Sequence, residues 1–195
     1  MFNFFQKKKK EPKSQGARLV NLAYDDNRPN EFDNMEKIAE DKFNVAYRDK
    51  NDRNKIKIGI AGSNSLDDAL TDANLFFGKK IEDTDRYKQS HDFVKKITEG
   101  LSNPDVELFG HSLSGTIVNQ LQKEHPEYTS TAYNPYLINT DQIATKTKNL
   151  RTATDPASML VAFNENVKSQ VEGSSLNPLD SHSLTNFKKG GLIKN

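Results

Sequence analysis

Residues 110–115 read Gly-His-Ser-Leu-Ser-Gly, between an apolar run that ends at Phe109 and another that begins at Thr116. A serine acts as a nucleophile when a tight strand-to-helix turn holds its hydroxyl outward, and such a turn admits only small neighbours. Gly110 is one small neighbour, and Ser114, with Gly115 behind it, is the other. The N-terminus of the following helix favours negative charge. A bare G-x-S-x-small match is common by chance and also describes an ordinary polar joint. The flanking pattern weighs toward chemistry, with a strand expected over 106–109 and a helix over 116–123. Ser112 is therefore the candidate nucleophile.

A serine hydrolase needs a base, usually histidine. The chain has four histidines. His91 falls within an amphipathic helix, and His125 closes a helix before Pro126, so both read as solvated or capping residues. His111 adjoins the serine, and neighbours on such a turn point apart, which assigns its ring a packing role. His182, in the polar stretch LDSHSLTNF, is left as the candidate base, expected on a loop. The acid should end a strand lying between serine and histidine. Asp155 in LRTATDPAS fits that position, although an Asp-Pro step is also a common turn starter. Asp141 follows a loop-like segment and is weaker, while Asp180 is too close to His182 to orient it. The order serine, acid, histidine is that of the α/β hydrolases.

An oxyanion hole combines the N–H after the nucleophile, here Leu113, with a donor from an earlier strand-end loop. IGIAGSNS offers that loop: a strand over 56–61, then Gly62 for close backbone approach, then Ser63 as donor. Read only as a turn, GSNS would be unremarkable.

These side chains need a frame, and 195 residues suffice for one domain. Residues 1–16, with four consecutive lysines, read as a flexible basic tail, and 17–195 as a single domain. Residues 31–43 place Phe32, Met35, Ile38 and Ala39 at helical spacing, so a helix is expected there. A hairpin then leads into the 56–61 strand. A helix follows over 86–100, with Gly100 as its stop. Strands are expected at 129–135 and 150–156, and a strand or helix at 159–167. Alternating strands and helices from residue 55 onward predict a layered α/β fold with a mostly parallel central sheet flanked by helices.

Composition narrows the function. The chain carries 28 Lys+Arg against 27 Asp+Glu, which gives no bulk attraction to nucleic acid. With no cysteine there is no disulfide scaffold, thiolate zinc site or cysteine nucleophile. No stretch approaches a membrane span, and the apolar start is too short for a signal-peptide core. The expected location is cytoplasmic or membrane-peripheral.

Together, IAGSNSLDDALTD and VELFGHSLSGTIV resemble the class 3 lipases, the fungal triacylglycerol-lipase-like branch of the α/β hydrolases. Gly62, Ser63, Asp67 and Asp68 match the first family segment, and Gly110, His111, Ser112, Leu113 and Gly115 match the second. TAYNPY, TDPAS and SHSLTNF resemble the later strand, the acid step and the histidine segment. The likeness runs over roughly residues 40–187. It implies Ser112 as nucleophile, His182 as base, Asp155 as its orienter, and Ser63 with Leu113 as oxyanion hole. It also implies a lipid ester substrate (acylglycerol, phospholipid or lysophospholipid) and no catalytic cofactor or metal. The chain departs from the pattern with Ala61 for arginine, Ala69 for tryptophan, Ser114 for an elbow glycine, and a short Asp155–His182 interval.

Related lipases carry a lid after the oxyanion loop. Here Leu75, Phe76 and Phe77 precede Lys79 and Lys80, a composition that suits either a lipid surface or a core. Peripheral membrane contact is expected through residues 1–16 and 75–80. The alternative function is a weak or inactive hydrolase-fold module that binds lipid or a partner protein.

Overall fold

A computed structural model of the chain describes residues 14–63, 80–136, 140–152, 154–155, 167–170, 177–187 and 193–194. Helix α1 (Gln15–Ala23) starts where the Ser14 hydroxyl accepts the Ala17 N–H, a serine N-cap. The expected tail boundary at residue 16 thus falls inside this helix. Its buried residues, Ala17, Leu19, Val20 and Ala23, recur at helical spacing.

The helix expected over 31–43 is a hairpin instead. Strands β1 (Glu31–Phe32) and β2 (Met35–Glu40) pair antiparallel, with Phe32 opposite Met35. Asp33, at φ 52°, makes the tight turn between them. Phe32 and Met35 therefore face each other across two strands rather than share a helical face. A register shift between Lys37 and Ala39 marks a bulge in β2. The extra residue breaks the period-two alternation that would have identified the strand.

β3 (Asn44–Asp49) and β4 (Lys55–Ile60) complete the antiparallel part of the sheet. From β4 the pairing turns parallel, through β5 (Asp105–His111), β6 (Thr129–Tyr133), β7 (Thr147–Thr152) and β8 (Val167–Gln170). β9 (Ile193–Lys194) closes the far edge antiparallel. The described residues thus form one nine-stranded sheet in sequence order. The segment 159–167 lies outside the described residues except for Val167, which opens β8.

α2 (Asp85–Thr98) is capped by the Thr84 hydroxyl, has Lys95 and Lys96 in its last turn, and is followed by Gly100 at φ 79°. α3 (Leu113–Glu124) links β5 to β6. Two cores result. Ile56, Ile58, Ile60, Val106 and Leu108 pack with Tyr87, Phe93 and Val94 of α2 and Ile117, Val118 and Leu121 of α3. Val45, Tyr47 and Phe109 pack with α1 in the second core. Each strand sends alternate residues to opposite faces, so α1 lies on one side of the sheet and α2 and α3 on the other. The chain is α/β, with a parallel centre flanked by helices. Among the described residues, no helix is long and apolar enough to cross a membrane.

Candidate active site

Ser112 stands between β5 and α3, at φ 59° and ψ −125°. For a residue with a Cβ, such a conformation costs about 1–3 kcal/mol and needs the surroundings to impose it. They do so from three directions. The Ser112 N–H donates to Tyr133 O at 3.0 Å, and Ser112 O accepts the Gly115 and Tyr136 N–H groups at 2.9 and 3.1 Å. A Cβ on Gly110 would run into the Ser114 carbonyl, so the turn requires glycine there. Serine at a helix N-cap ordinarily spends its hydroxyl on the first-turn N–H groups. Ser112 occupies that position, but its side chain makes no capping bond.

Ser114, where the lipase pattern has glycine, is fully buried. Its Oγ accepts the His111 N–H at 2.8 Å and lies 2.6 Å from Ile60 O and 2.9 Å from His111 O. The hydroxyl can donate to only one of these carbonyls, and Ile60 O is nearer. It ties the first turn of α3 to the ends of both β4 and β5, which glycine could not do.

The end of β4 reaches the elbow. A Cβ built on Gly62 would sit 3.2 Å from Ser112 Cβ and 2.5 Å from His111 O, so the two backbones meet where a larger residue would not fit. Three contacts fix this strand end. Ala61 N–H donates to Phe43 O at 2.8 Å, Gly62 N–H donates to Tyr24 Oη at 2.8 Å, and the Arg86 guanidinium donates to Ala61 O. Arg86 also lies over the Phe43 ring, 3.4 Å from its centroid. Ser63 follows, half-buried, and Leu113 is the first residue of α3. The first N–H groups of a helix have no intrahelical acceptor.

Asp155 follows β7 and is fully buried. His182 ends the short helix α4 (Pro178–His182), rather than lying on the loop expected for it. At the start of this helix the Ser181 N–H donates to Asn177 O at 3.0 Å. His182 Nδ1 and Asp155 Oδ1 are 2.7 Å apart. A carboxylate only accepts, so Nδ1 donates, and in the neutral imidazole Nε2 is the nitrogen with the lone pair. Ser112 Oγ and His182 Nε2 are both buried without a hydrogen-bond partner among the described residues. Arg151 on β7 is buried as well. Desolvation lowers its pKa, and the charge of Asp155 works in the opposite direction.

One carbonyl of the segment bearing His182 gathers three donors. Ser181 O accepts from Asn134 Nδ2 and Asn186 Nδ2, each at 3.2 Å, and from the Thr152 hydroxyl. Asn134, at φ 43° after β6, also accepts the Thr152 N–H at 2.8 Å. Asn134, Thr152, Tyr24 and Arg86 went unnoticed in the sequence. The Asn-Pro step at Asn134 is the one local signal among them.

His111 packs under the turn, its ring centroid 4.7 Å from that of His182. Its nitrogens are both engaged, Nδ1 with Tyr24 Oη at 3.0 Å and Nε2 with His182 O at 2.7 Å. Desolvation by burial, followed by the neighbouring His182, pushes its pKa down to about 3.

The other candidates lie elsewhere. His125 follows the last residue of α3, about 18 Å from Ser112 along twelve helical residues, and stacks on Tyr128. His91 faces Glu124 at the same end of α3. Asp141 O accepts from Lys123, again at that end. Asp180 is exposed on α4. Leu75, Phe76, Phe77, Asp67, Asp68 and residues 1–13 lie outside the described residues. Among the described residues, no three His, Asp or Glu side chains converge to hold a metal ion.

Chemically, a strained serine beside a strand-end loop, with a histidine oriented by a buried acid, can support acyl transfer. In comparisons with known proteins, no family model and no curated protein matches the chain. Among solved structures it is similar to a triacylglycerol lipase from Penicillium expansum, at 15% identity and a TM-score of 0.50. That likeness covers 86% of this chain and 79% of the lipase. At such identity it shows a shared lipase-like fold.

Proposed function

We propose that this protein is a serine carboxylic-ester hydrolase that works through an acyl-enzyme on lipid esters. Ser112 carries the reading. It is held in a left-handed conformation at a helix N-cap, yet its buried hydroxyl caps nothing. The histidine engaged by Asp155 likewise keeps a buried, unpartnered Nε2.

In this reading His182 Nε2 takes the Ser112 proton as Oγ adds to the ester carbonyl carbon. Asp155 holds the Nδ1 tautomer and stabilises the imidazolium that forms. The N–H groups of Ser63 and Leu113 receive the oxyanion, each contributing about 3 kcal/mol to the transition state. His182 then returns the proton to the leaving alcohol oxygen as the C–O bond breaks. Water, deprotonated by the same nitrogen, adds to the acyl-enzyme and releases the carboxylic acid and Ser112.

The lipid class is supported by the fold shared with the Penicillium expansum triacylglycerol lipase. A fluorophosphonate probe, which reacts with activated serines, tests the whole reading. Wild-type protein should label at Ser112 and cleave esters on a panel of acylglycerols and phospholipids. Ser112→Ala should lose labelling and at least ~10³-fold of the turnover. An unlabelled wild-type protein would favour the non-catalytic lipid- or partner-binding module.

A further inference from the structure

Tyr24 and His111 form a hydrogen-bonded link between the two sides of the candidate site. Starting from the strand end, Gly62 N–H donates to Tyr24 Oη at 2.8 Å. Tyr24 Oη lies 3.0 Å from His111 Nδ1, and His111 Nε2 lies 2.7 Å from His182 O. The proton positions follow from the last contact. A carbonyl oxygen can only accept, so Nε2 carries the hydrogen and Nδ1 is the acceptor of the Tyr24 hydroxyl. Tyr24 Oη then has a lone pair for Gly62 N–H, and every group in the chain is used once with the correct polarity. Burial disfavours a charged His111 and raises the Tyr24 hydroxyl well above its ordinary range. The polarity therefore does not reverse at neutral pH.

The two ends of this link are the backbone of Gly62, next to Ser63, and the backbone of His182. These are the loop assigned to the oxyanion and the residue assigned as base. We propose that Tyr24 and His111 are positioning residues that set the separation between the oxyanion loop and His182. The proposal rests on the hydrolase reading. Neither side chain is assigned a bond to substrate. Their effect acts through geometry, because oxyanion donors work only within about 2.7–3.1 Å of the developing charge, and a misplacement near 1 Å can cost about 10²-fold. α1, far from the elbow in sequence, thereby gains a role at the site through Tyr24, the residue at its C-terminal cap.

Tyr24→Phe removes one oxygen and leaves the ring. Two readouts are decisive, and the first needs no activity. Amide exchange at Gly62, measured on the full chain, should quicken at least ~10-fold in Tyr24→Phe while the core strands keep wild-type protection. Unchanged Gly62 exchange overturns the proposal. In the second, kcat for a short-chain p-nitrophenyl ester should fall ~10–100-fold with KM within about threefold. A rise in KM alone, or an unchanged kcat, also overturns it. His111→Phe should give a similar loss of kcat, and the double variant should lose no more than the worse single variant, since the two act as one link. Additive losses count against the proposal, and Tyr24→Phe decides alone if His111→Phe does not fold. Failure of wild-type protein to label with fluorophosphonate would instead sink the hydrolase reading, while Gly62 exchange would still decide the link.

Discussion

The elbow at residues 110–115 and the arm at residues 177–187 meet at the candidate site but are held there by different means. The elbow combines bonds within itself with bonds to residues distant in sequence, since Ser114 Oγ reaches Ile60 O, 54 residues away, and Ser112 is held by Tyr133 and Tyr136. Gly110 clears room for the Ser114 carbonyl, the Ser114 hydroxyl binds both strand ends, and Ser112 takes up the turn within a few residues of each. The arm has bonds of its own, such as Asn186 Nδ2 to Asp180 O, but it is also tied to distant side chains. α4 is five residues long, and Ser181 O depends on Asn134 and Thr152, 47 and 29 residues away. The small residues that permit the turn, Gly110 and Ser114, lie within it, whereas the histidine segment docks on side chains that other strands supply.

The largest effect should come from Asp155, the acid that the arm's histidine meets after β7. Asp155→Asn keeps the shape but favours the wrong imidazole tautomer, and should lower kcat by ~10³–10⁴-fold with an unchanged far-ultraviolet spectrum. A loss below tenfold would mean that the acid lies elsewhere and that the arm matters less than the contrast implies.

Next in size is the acid limb of stability, which involves the His111 link between the two regions. The folded pKa of His111 is near 3, against an ordinary 6.5, so between those values the unfolded chain binds more protons than the folded one. Stability from this group is complete above the unfolded value and falls as pH drops through the window. The slope approaches 1.4 kcal/mol per pH unit, or about 3 kcal/mol lost by pH 4.5. Urea titrations at several pH values should show a flatter acid limb in His111→Phe than in wild type. Parallel limbs would show that His111 does not titrate this way.

The smallest effect should belong to the elbow. Ser114→Ala removes the hydroxyl bridge and should cost about 1.5 kcal/mol in chemical denaturation. A neutral result would return Ser114 to a merely tolerated small residue and weaken the picture of a turn tied to both strand ends.

The same contrast explains what could be read in advance. The parallel strands announced themselves through alternation and apolar runs, as at Ile56, Ile58 and Ile60, because local burial imposes local pattern. The elbow was legible for that reason too. Asp155 and His182 could be selected only by chain order and elimination, and the structure does bring those two together. β2 was misread because its bulge erased the alternation while a two-residue turn put Phe32 and Met35 at helical spacing. Tyr24, Arg86 and Thr152 act through contacts with sequence-distant backbone, 38, 25 and 29 residues away, and no periodicity records such partners.

The bonds on Ser181 O join a late segment to residues made earlier. Asn134 and Thr152 emerge from the ribosome well before α4, so the elbow and its strands can close around Ser112 while the histidine has yet to be made. Until residues 177–187 dock, His111 Nε2 lacks its acceptor and Asp155 lacks its imidazole. A nascent chain would therefore carry a finished turn around Ser112 before His182 is beside Asp155, and on the proposed reading it would gain its base only when that late segment arrives.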